Sequence, residues 1–599
     1  MLSGWEGKLR MKSKILKKDY FWLGLIFWLV LFLRFGGISW SLPHHFHPDE
    51  WNMGRAITRL SWANKFNPEF FAYGQFPLYL AYLSAKIYNL LPWLKIGTID
   101  IAEAVFFLRF WSAFTGIGTV YLVYLISKKI FSRYSPSPIS HKLPLFTTLL
   151  AAFTPGLIQI SHFGTTESLL SFLLLFVVYL SILIYETKKT RYFIFLGIIL
   201  GISFGTKITA LTFTTPFGLV LVLMLKTVFT KSENKQKGFL KLLGKFFLTL
   251  SLAFIFTIIT SPYLVLAFND SKNTLLYETA VATGKSPVFY TRQFINTLPI
   301  VFQLEKIFPY ALGWPILILG SLGLLISTIL IVKSAIKKQT GKFDLSLLVL
   351  TFTFLTYFFS QTFLFCKWTR FVAPIFPFLA IFGGITLSYL SNLRNLSYLL
   401  VFVSILPGIF FSQIYFKPDI RFQASEWIYQ NIPSGAKVLL DTGNVLDIPI
   451  LPPNSLTLSK NSNYGLSRTS FDFYHLDENP ELLLDLTREL SEADWIFVPS
   501  RRIFANHMRF PKKYPQTAQY YQLLFSGQLG FSEVAIFYPY SKFKIFNSKF
   551  QYSDESAEET WSVFDHPVIR IYKKTFYIPK EQYHQLFVNR LNINKNTGR

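Results

Sequence analysis

From about residue 20 to residue 416 the chain is a ladder of long apolar runs separated by short charged ones. Roughly 20 apolar residues in helical form cross a hydrocarbon layer about 30 Å thick. Inside that layer every backbone N–H and C=O has to be satisfied within the segment. The runs therefore predict membrane-spanning helices, and exclude an open sheet for this part of the chain. Eleven segments meet the description: 20–40, 104–126, 143–161, 167–186, 192–206, 208–226, 242–267, 310–332, 344–365, 371–390 and 396–415. The fifth and sixth are short and read as one tight hairpin around Lys207. Composition agrees, since only 15% of the 599 residues are charged, against roughly 25% in soluble domains.

The net charge of +26 does not form one basic stripe. Its residues sit in clusters between apolar runs, as membrane topology produces, and this excludes nucleic acid as the partner. The single cysteine, Cys366, excludes an intramolecular disulfide and a thiolate metal cluster. The basic start MLSGWEGKLRMKSKILKKDY is followed by FWLGLIFWLVLFL with no small-x-small cleavage site, which reads as an uncleaved signal anchor.

Lysine and arginine bias sets the orientation. With a cytoplasmic N-terminus, the basic loops SKKIFSRYSPSPISHK, ETKKTR, KTVFTKSENKQKGFLK, KSAIKKQTGK and SNLRN all fall inside. The opposite loops are 41–103, HFGTTE, 267–309 and CKWTR. One run, FPLYLAYLSAKIYNLLPW (76–93), would invert every later loop if it crossed, so it is read as an interfacial or re-entrant helix. The expected organisation is a cytoplasmic stretch at 1–19, a transmembrane catalytic domain at 20–416 with its first outer loop at 41–103, and a soluble extracytoplasmic domain at 417–599. The expected location is a bacterial plasma membrane.

The last part alternates helix and strand signals. RFQASEWIYQNIPSGAKVLLD reads as helix, turn and strand, and ELLLDLTRELSEADWIFVPS repeats helix then strand. FSEVAIFYPYSKF and HPVIRIYKK read as further strands. This predicts a small α/β domain with no catalytic motif of its own.

The sharpest chemical feature is HHFHPDE at 44–50. Carboxylates at a membrane face are costly unless paired, hydrated or functional. Asp49 and Glu50 are candidates for acid–base chemistry on a hydroxyl acceptor. The bland alternative is a helix N-terminus, where Pro48 opens the first turn and acids favour the dipole. Four cations share the outer half of the membrane in this topology: Arg109, Lys207, Lys367 and Arg370. They are candidates for a phosphate-binding set, or snorkel to lipid headgroups. His162 and Glu167 bracket the turn SHFGTTE as a second polar wall, unless Thr165 or Thr166 simply caps the next helix. A divalent metal on His47 and Asp49, with His44, His45 and Glu50 beside them, has suitable ligand types. Neighbours on a short loop cannot all converge, however, so no cofactor is required. Walker, Rossmann and G-x-S-x-G motifs are absent, which favours a donor that arrives through the membrane.

The order of parts resembles the GT-C glycosyltransferases of the protein O-mannosyltransferase and aminoarabinose transferase type, glycosyltransferase family 39. The matching elements are FHPDE, then YGQFPLYLAYL, LRFWSAFTGIGTVYLVYLISKKIF, GISFGTKITAL and RFVAPIFPFLA, over about 20–416. The resemblance implies a polytopic α-helical membrane protein of GT-C type, with about 11 transmembrane helices and the C-terminal extracytoplasmic α/β domain. It implies inverting transfer of a hexosyl or pentosyl group from a polyprenyl-phosphate-linked sugar to an acceptor hydroxyl on a protein, lipid or glycan at the outer face. Carried onto this chain, Asp49 is the general base and Glu50 orients acceptor or sugar. Arg109, Lys207, Lys367 and Arg370 then hold the lipid phosphate. A polytopic transporter or lipid-linked-glycan flippase is the alternative. It expects repeated halves and mid-span acids, and neither is found. A membrane-anchored binding protein is a third reading, and eleven spans exceed what anchoring needs.

Overall fold

The computed structural model describes the chain apart from residue 1 and residues 91–97, 133–139, 232–233, 337–344, 442–447, 449–464, 541–542, 546–547, 551 and 588–599. Parts of three basic loops, 127–142, 226–241 and 333–342, therefore lie outside the described residues. The chain divides into two compact units. One comprises Met1–Ser39, Asp49–Ser286 and Asn296–Gln413; the other comprises Trp40–Pro48, Pro287–Ile295 and Ile414–Arg599.

The first unit is helical. Its early elements are α1 (Leu2–Phe35), α2 (Pro48–Thr58, entering the unit at Asp49), α3 (Phe76–Asn89), α4 (Ile101–Phe131), α5 (Leu143–Ala152) and α6 (Pro155–His162). Then follow α7 (Glu167–Thr187), α8 (Thr190–Phe204), α9 (Thr215–Lys231) and α10 (Lys235–Thr260). Helices Phe268–Ala282, Trp314–Ile336, Leu345–Thr362, Phe376–Tyr389 and Arg394–Ser412 complete it. Among the described residues eight helices are long and apolar enough to cross a membrane, and a bent pair makes nine. The count of eleven read from sequence differs at α1, whose run 20–40 is not among those counted, and at α8. With 15 residues it is about 23 Å long, short of a 30 Å core.

The bent pair is α5 and α6, which the sequence reads as one span and which turn by 53°. Pro155 lacks an N–H and drives Thr154 out of helical geometry, to φ −67° and ψ 117°. The break releases carbonyls at the end of α5. Arg34, fully buried in α1, fills the gap by donating from Nη2 to Ala152 O at 2.9 Å and Ala151 O at 3.5 Å.

The 76–93 run forms α3 with 14 residues, about 21 Å, so it is too short to span; 91–93 lie outside the described residues. Its Leu78, Ala81 and Ala85 pack with Met53, Ala56 and Ile57 of α2 and with Ala104, Phe107 and Leu108 of α4. Gly54 lets α2 approach α4, since a Cβ there would lie 3.0 Å from Ile101 Cγ2. This three-helix contact fixes how the first turn of α2 faces.

The second unit is an α/β sandwich. Its strands are β1 (Lys437–Asp441), β2 (Ser467–Phe471), β3 (Trp495–Val498), β4 (Phe531–Phe537), β5 (Phe543–Ile545), β6 (Ser548–Phe550) and β7 (Ile569–Lys574). The main sheet has the order β2-β1-β3-β7-β4, and among the described residues β5 and β6 form a separate two-stranded sheet. β1 runs parallel to β2 and β3, while β7 runs antiparallel to β3 and β4. Every residue of β3 is buried, as a central strand covered on both faces requires. Helix Ile420–Asn431 covers one face through Ile420, Ala424 and Ile428. Helices Pro480–Glu492 and Pro515–Phe525 cover the other through Leu486, Leu490 and Tyr520.

Two distant segments belong to this unit. Arg292 donates to Tyr474 O at 2.9 Å and pairs with Glu478 at 2.8 Å, and Gln293 donates to Glu558 at 2.8 Å. Phe46 lies 4.1 Å under the Arg421 guanidinium, while the His44 and His47 rings pack against Phe422 and Phe564 at 5.5 and 4.5 Å. His44 and His47 of HHFHPDE are thus aromatic packing groups of the second unit, and the chain passes into the first unit between Pro48 and Asp49.

Candidate active site

Adjacent residues on a helix point about 100° apart, and the first turn of α2 separates its two acids accordingly. Glu50 turns inward and is 1% exposed. Arg109 of α4 grips it with two parallel bonds, Nε to Oε1 at 2.8 Å and Nη2 to Oε2 at 2.6 Å. The backbone N–H of Gly164 adds a third at 2.5 Å. A side chain at Gly164 would bring a Cβ within 2.7 Å of Leu108 Cβ, so the close approach requires glycine. Arg109 also donates to Ile38 O at 3.2 Å. The pair is sealed inside the helical unit.

Asp49 takes the flank of the same turn, with its side chain 23% exposed. Arg370 Nη1 and the Tyr73 hydroxyl both donate to its Oδ2, the latter at 3.0 Å. Burial first, and the Asp49 charge second, raise the Tyr73 phenol well above its ordinary value, so it stays a donor. Arg370 lies over the Trp368 ring at 4.6 Å. Its buried Nε has no hydrogen-bond partner among the described residues.

Lys207 joins the cluster through two glycine loops. Gly74 N donates to Thr206 O at 3.0 Å and Phe76 N to Gly205 O at 3.1 Å. A Cβ on Gly74 would fall 2.1 Å from Gly205 O, so neither bulk nor a shifted register is tolerated here. Ser261 Oγ accepts from Gln75 N at 2.7 Å and ties the same loop to the end of α10. The Lys207 ammonium consequently sits 4.9 Å from the Tyr73 ring centre and pairs with Glu167 at 2.9 Å. Glu167 is buried at the start of α7 and also accepts from Thr166 Oγ1 at 3.1 Å. Glu278, on helix Phe268–Ala282, lies within electrostatic reach of Arg370, Asp49 and Lys207. Partial loss of water raises its carboxyl most and Asp49 adds to that, while Arg370 and Lys207 oppose it.

The structure therefore brings together Asp49, Glu167, Lys207 and Arg370. It uses Glu50 and Arg109 on each other. His162 is buried with its ring nitrogens 2.9 Å from Ile158 O and 2.8 Å from Gly36 O. Lys367 donates to Phe365 O at 3.0 Å and Thr297 Oγ1 at 3.2 Å, and burial lowers its ammonium from the ordinary value. No carboxylate partners Lys367 among the described residues. Nor do the described residues gather three or more His, Cys, Asp or Glu side chains where a metal ion would sit. Tyr73 and Glu278 are the members that sequence reasoning missed. Tyr73 heads the YGQFPLYL segment and was legible there, whereas no motif surrounds Glu278.

Helices of spanning length and a separate α/β unit define an integral membrane protein. Residues 24–273 match the model of the family described as dolichyl-phosphate-mannose-protein mannosyltransferase. This stretch contains Asp49, Tyr73, Glu167 and Lys207, and ends before Glu278 and Arg370. No curated protein sequence matches the chain. Among solved structures, an Archaeoglobus fulgidus oligosaccharyltransferase in complex with an inhibitory peptide and a dolichol-phosphate is 12% identical, with a TM-score of 0.48 over 84% of this chain and 72% of its own. The Cupriavidus metallidurans ArnT bound to undecaprenyl phosphate is 13% identical, with a TM-score of 0.43 over 80% and 92%. The S. cerevisiae protein O-mannosyltransferase Pmt1-Pmt2 complex bound to the sugar donor is 17% identical, with a TM-score of 0.33 over 42% and 34%. These likenesses are loose and carry no argument beyond the sequence match of residues 24–273.

Proposed function

We propose that this protein transfers a sugar from a polyprenyl-phosphate donor to an acceptor hydroxyl on the outer face of the membrane, with inversion and with Asp49 as general base. The observation that carries the reading is Asp49 itself. It is a partly exposed carboxylate of the family-matched stretch, held by Tyr73 and Arg370 with Lys207 packed on the same tyrosine. The family description supplies the donor class, and the Lys/Arg bias of the loops supplies the side.

In the proposed step the acceptor oxygen attacks the sugar carbon from the face opposite the phosphate. Its proton passes to Asp49, the carbon–phosphate-oxygen bond breaks, and polyprenyl phosphate departs with the electron pair. Charge gathers on that phosphate in the transition state, so fixed cations lower the barrier. Arg370 pairs with Asp49, Lys207 packs on Tyr73 beside it, and Lys367 is a third cation without a carboxylate partner among the described residues. A phosphate that shares Arg370 loosens its hold on Asp49, so donor binding makes the base more basic. Glu50 and Arg109 brace the turn that carries the base.

Transfer by the reconstituted full-length protein, assayed with polyprenyl-phosphate hexoses beginning with mannose, tests the reading. Asp49→Asn is expected to lower turnover about 10²- to 10⁴-fold, the range for a general base, with an unchanged melting temperature. Full turnover in that variant would remove Asp49 from the chemistry.

A further inference from the structure

A second charged site stands at the far end of α7. Glu167 opens this helix and Lys188 closes it, and 21 residues separate the two ends by about 31 Å. There the turn after α7 meets α9 and α10 around a cleft of about 330 Å³, within the range of small-ligand sites. Its floor and walls include Met224, Thr227 and Leu242, and its charged lining is Lys188, Lys241 and Lys245. No carboxylate lines it among the described residues.

Lysines at a membrane border ordinarily stretch their ammonium groups away to water. Lys245 does the opposite. Its Nζ turns back to donate to Lys188 O at 2.6 Å and lies 5.1 Å from the ring of the buried Phe193. Lys241 stands within electrostatic reach of it and adds like charge. The frame is stiff: Gly197 and Gly201 of α8 let α10 press in so closely that a Cβ at either would lie under 3 Å from a backbone oxygen of α10. A cleft lined by three lysines and, among the described residues, no acid calls for an anion.

We propose that this cleft binds the phosphate of an anionic phospholipid headgroup. A lipid is favoured over free phosphate because α9 and α10 expose Val222, Leu240 and Phe247, a surface on which acyl chains lie. In the topology read from the loops this end faces the cytoplasmic leaflet, where anionic lipid is concentrated. The proposal is independent of the transfer reaction.

The test is native mass spectrometry of the purified full-length protein with phosphatidylglycerol or phosphatidylcholine. Wild type is expected to retain one phosphatidylglycerol about tenfold to a hundredfold better than phosphatidylcholine. The triple variant Lys188→Gln, Lys241→Gln, Lys245→Gln is expected to lose that preference, while the three Lys→Arg changes keep it. Both variants should melt like wild type in lipid-free detergent. Equal retention of the two lipids by wild type, which needs no variant, overturns the proposal. So does an unchanged preference in a folded glutamine variant. Stabilisation by inorganic phosphate without retention of phosphatidylglycerol overturns the lipid as its source.

Discussion

Two carboxylate–arginine pairs start from neighbouring residues of one helix turn, and they have opposite characters. Glu50–Arg109 is bidentate, capped by a backbone N–H and sealed, with side chains 2% and 0% exposed. Asp49–Arg370 is gripped at one oxygen, shares that oxygen with Tyr73, and keeps 23% and 27% exposure. Coulomb attraction alone does not explain the difference, since the partners are the same. What differs is access. A sealed pair holds its proton state and its geometry, whereas an open pair can exchange its cation for an incoming phosphate and its proton for that of a hydroxyl.

The contrast predicts opposite phenotypes for adjacent substitutions. The largest effect is the loss of turnover in Asp49→Asn at normal stability. Glu50→Gln should instead lower stability by about 3–5 kcal/mol, because it strands the buried Arg109. Thermal unfolding in detergent reads this directly, and a Glu50→Leu, Arg109→Leu double variant should recover much of the loss. If Glu50→Gln melted normally and lost only turnover, the distinction between brace and base would vanish.

Lys207 sharpens the same division, because it touches both roles. Removing it alone strands buried Glu167, so the informative variant is Lys207→Met with Glu167→Gln. Stability should return in the double variant, while kcat/KM should stay about 10²- to 10³-fold low, as when one transition-state cation is lost. Recovery of both would make the pair a second brace.

The smallest expected effect lies in the second unit, whose own sealed network answers to pH rather than to substrate. His566 bonds Asp565 through Nδ1 and Asp554 through Nε2. Burial alone would lower the imidazole, but Asp565 and Asp554 together outweigh it and raise His566 to about 10. A raised value means the folded state holds the proton more tightly. This contribution is full below the ordinary histidine value of about 6.5 and is lost as pH rises through about 10. Melting of the wild type should therefore fall between pH 7 and 10 more steeply than that of His566→Gln. Parallel curves would mean that His566 is neutral.

Much of the membrane part was legible because apolar run length maps directly onto helix length. That rule alone would pass 76–93 as a span, and only the charge bias of the loops set it aside, where the structure gives a helix of 14 residues. The rule also misses the break at Thr154, where a proline outweighs an unbroken apolar pattern. In the second unit the helix and strand signals read at 421–441, 481–500, 531–543 and 566–574 contain elements of the sheet and its cover. Strand Ser467–Phe471 was not legible, since its exposed edge position leaves little apolar pattern. In the site, the residue types were visible but their partners were not. Nothing in HPDE says which acid faces inward.

By itself the sequence determined the helical class and the acids that open α2, because each depends on composition within one short window. Tertiary structure decided that Glu50 belongs to Arg109 and Asp49 to Arg370, partners 59 and 321 residues away. It also sent the histidines of the same heptapeptide into the other unit. Such choices depend on which face of a helix is buried by its neighbours. For α2 that was settled by Gly54 against Ile101 and by the small residues of α3.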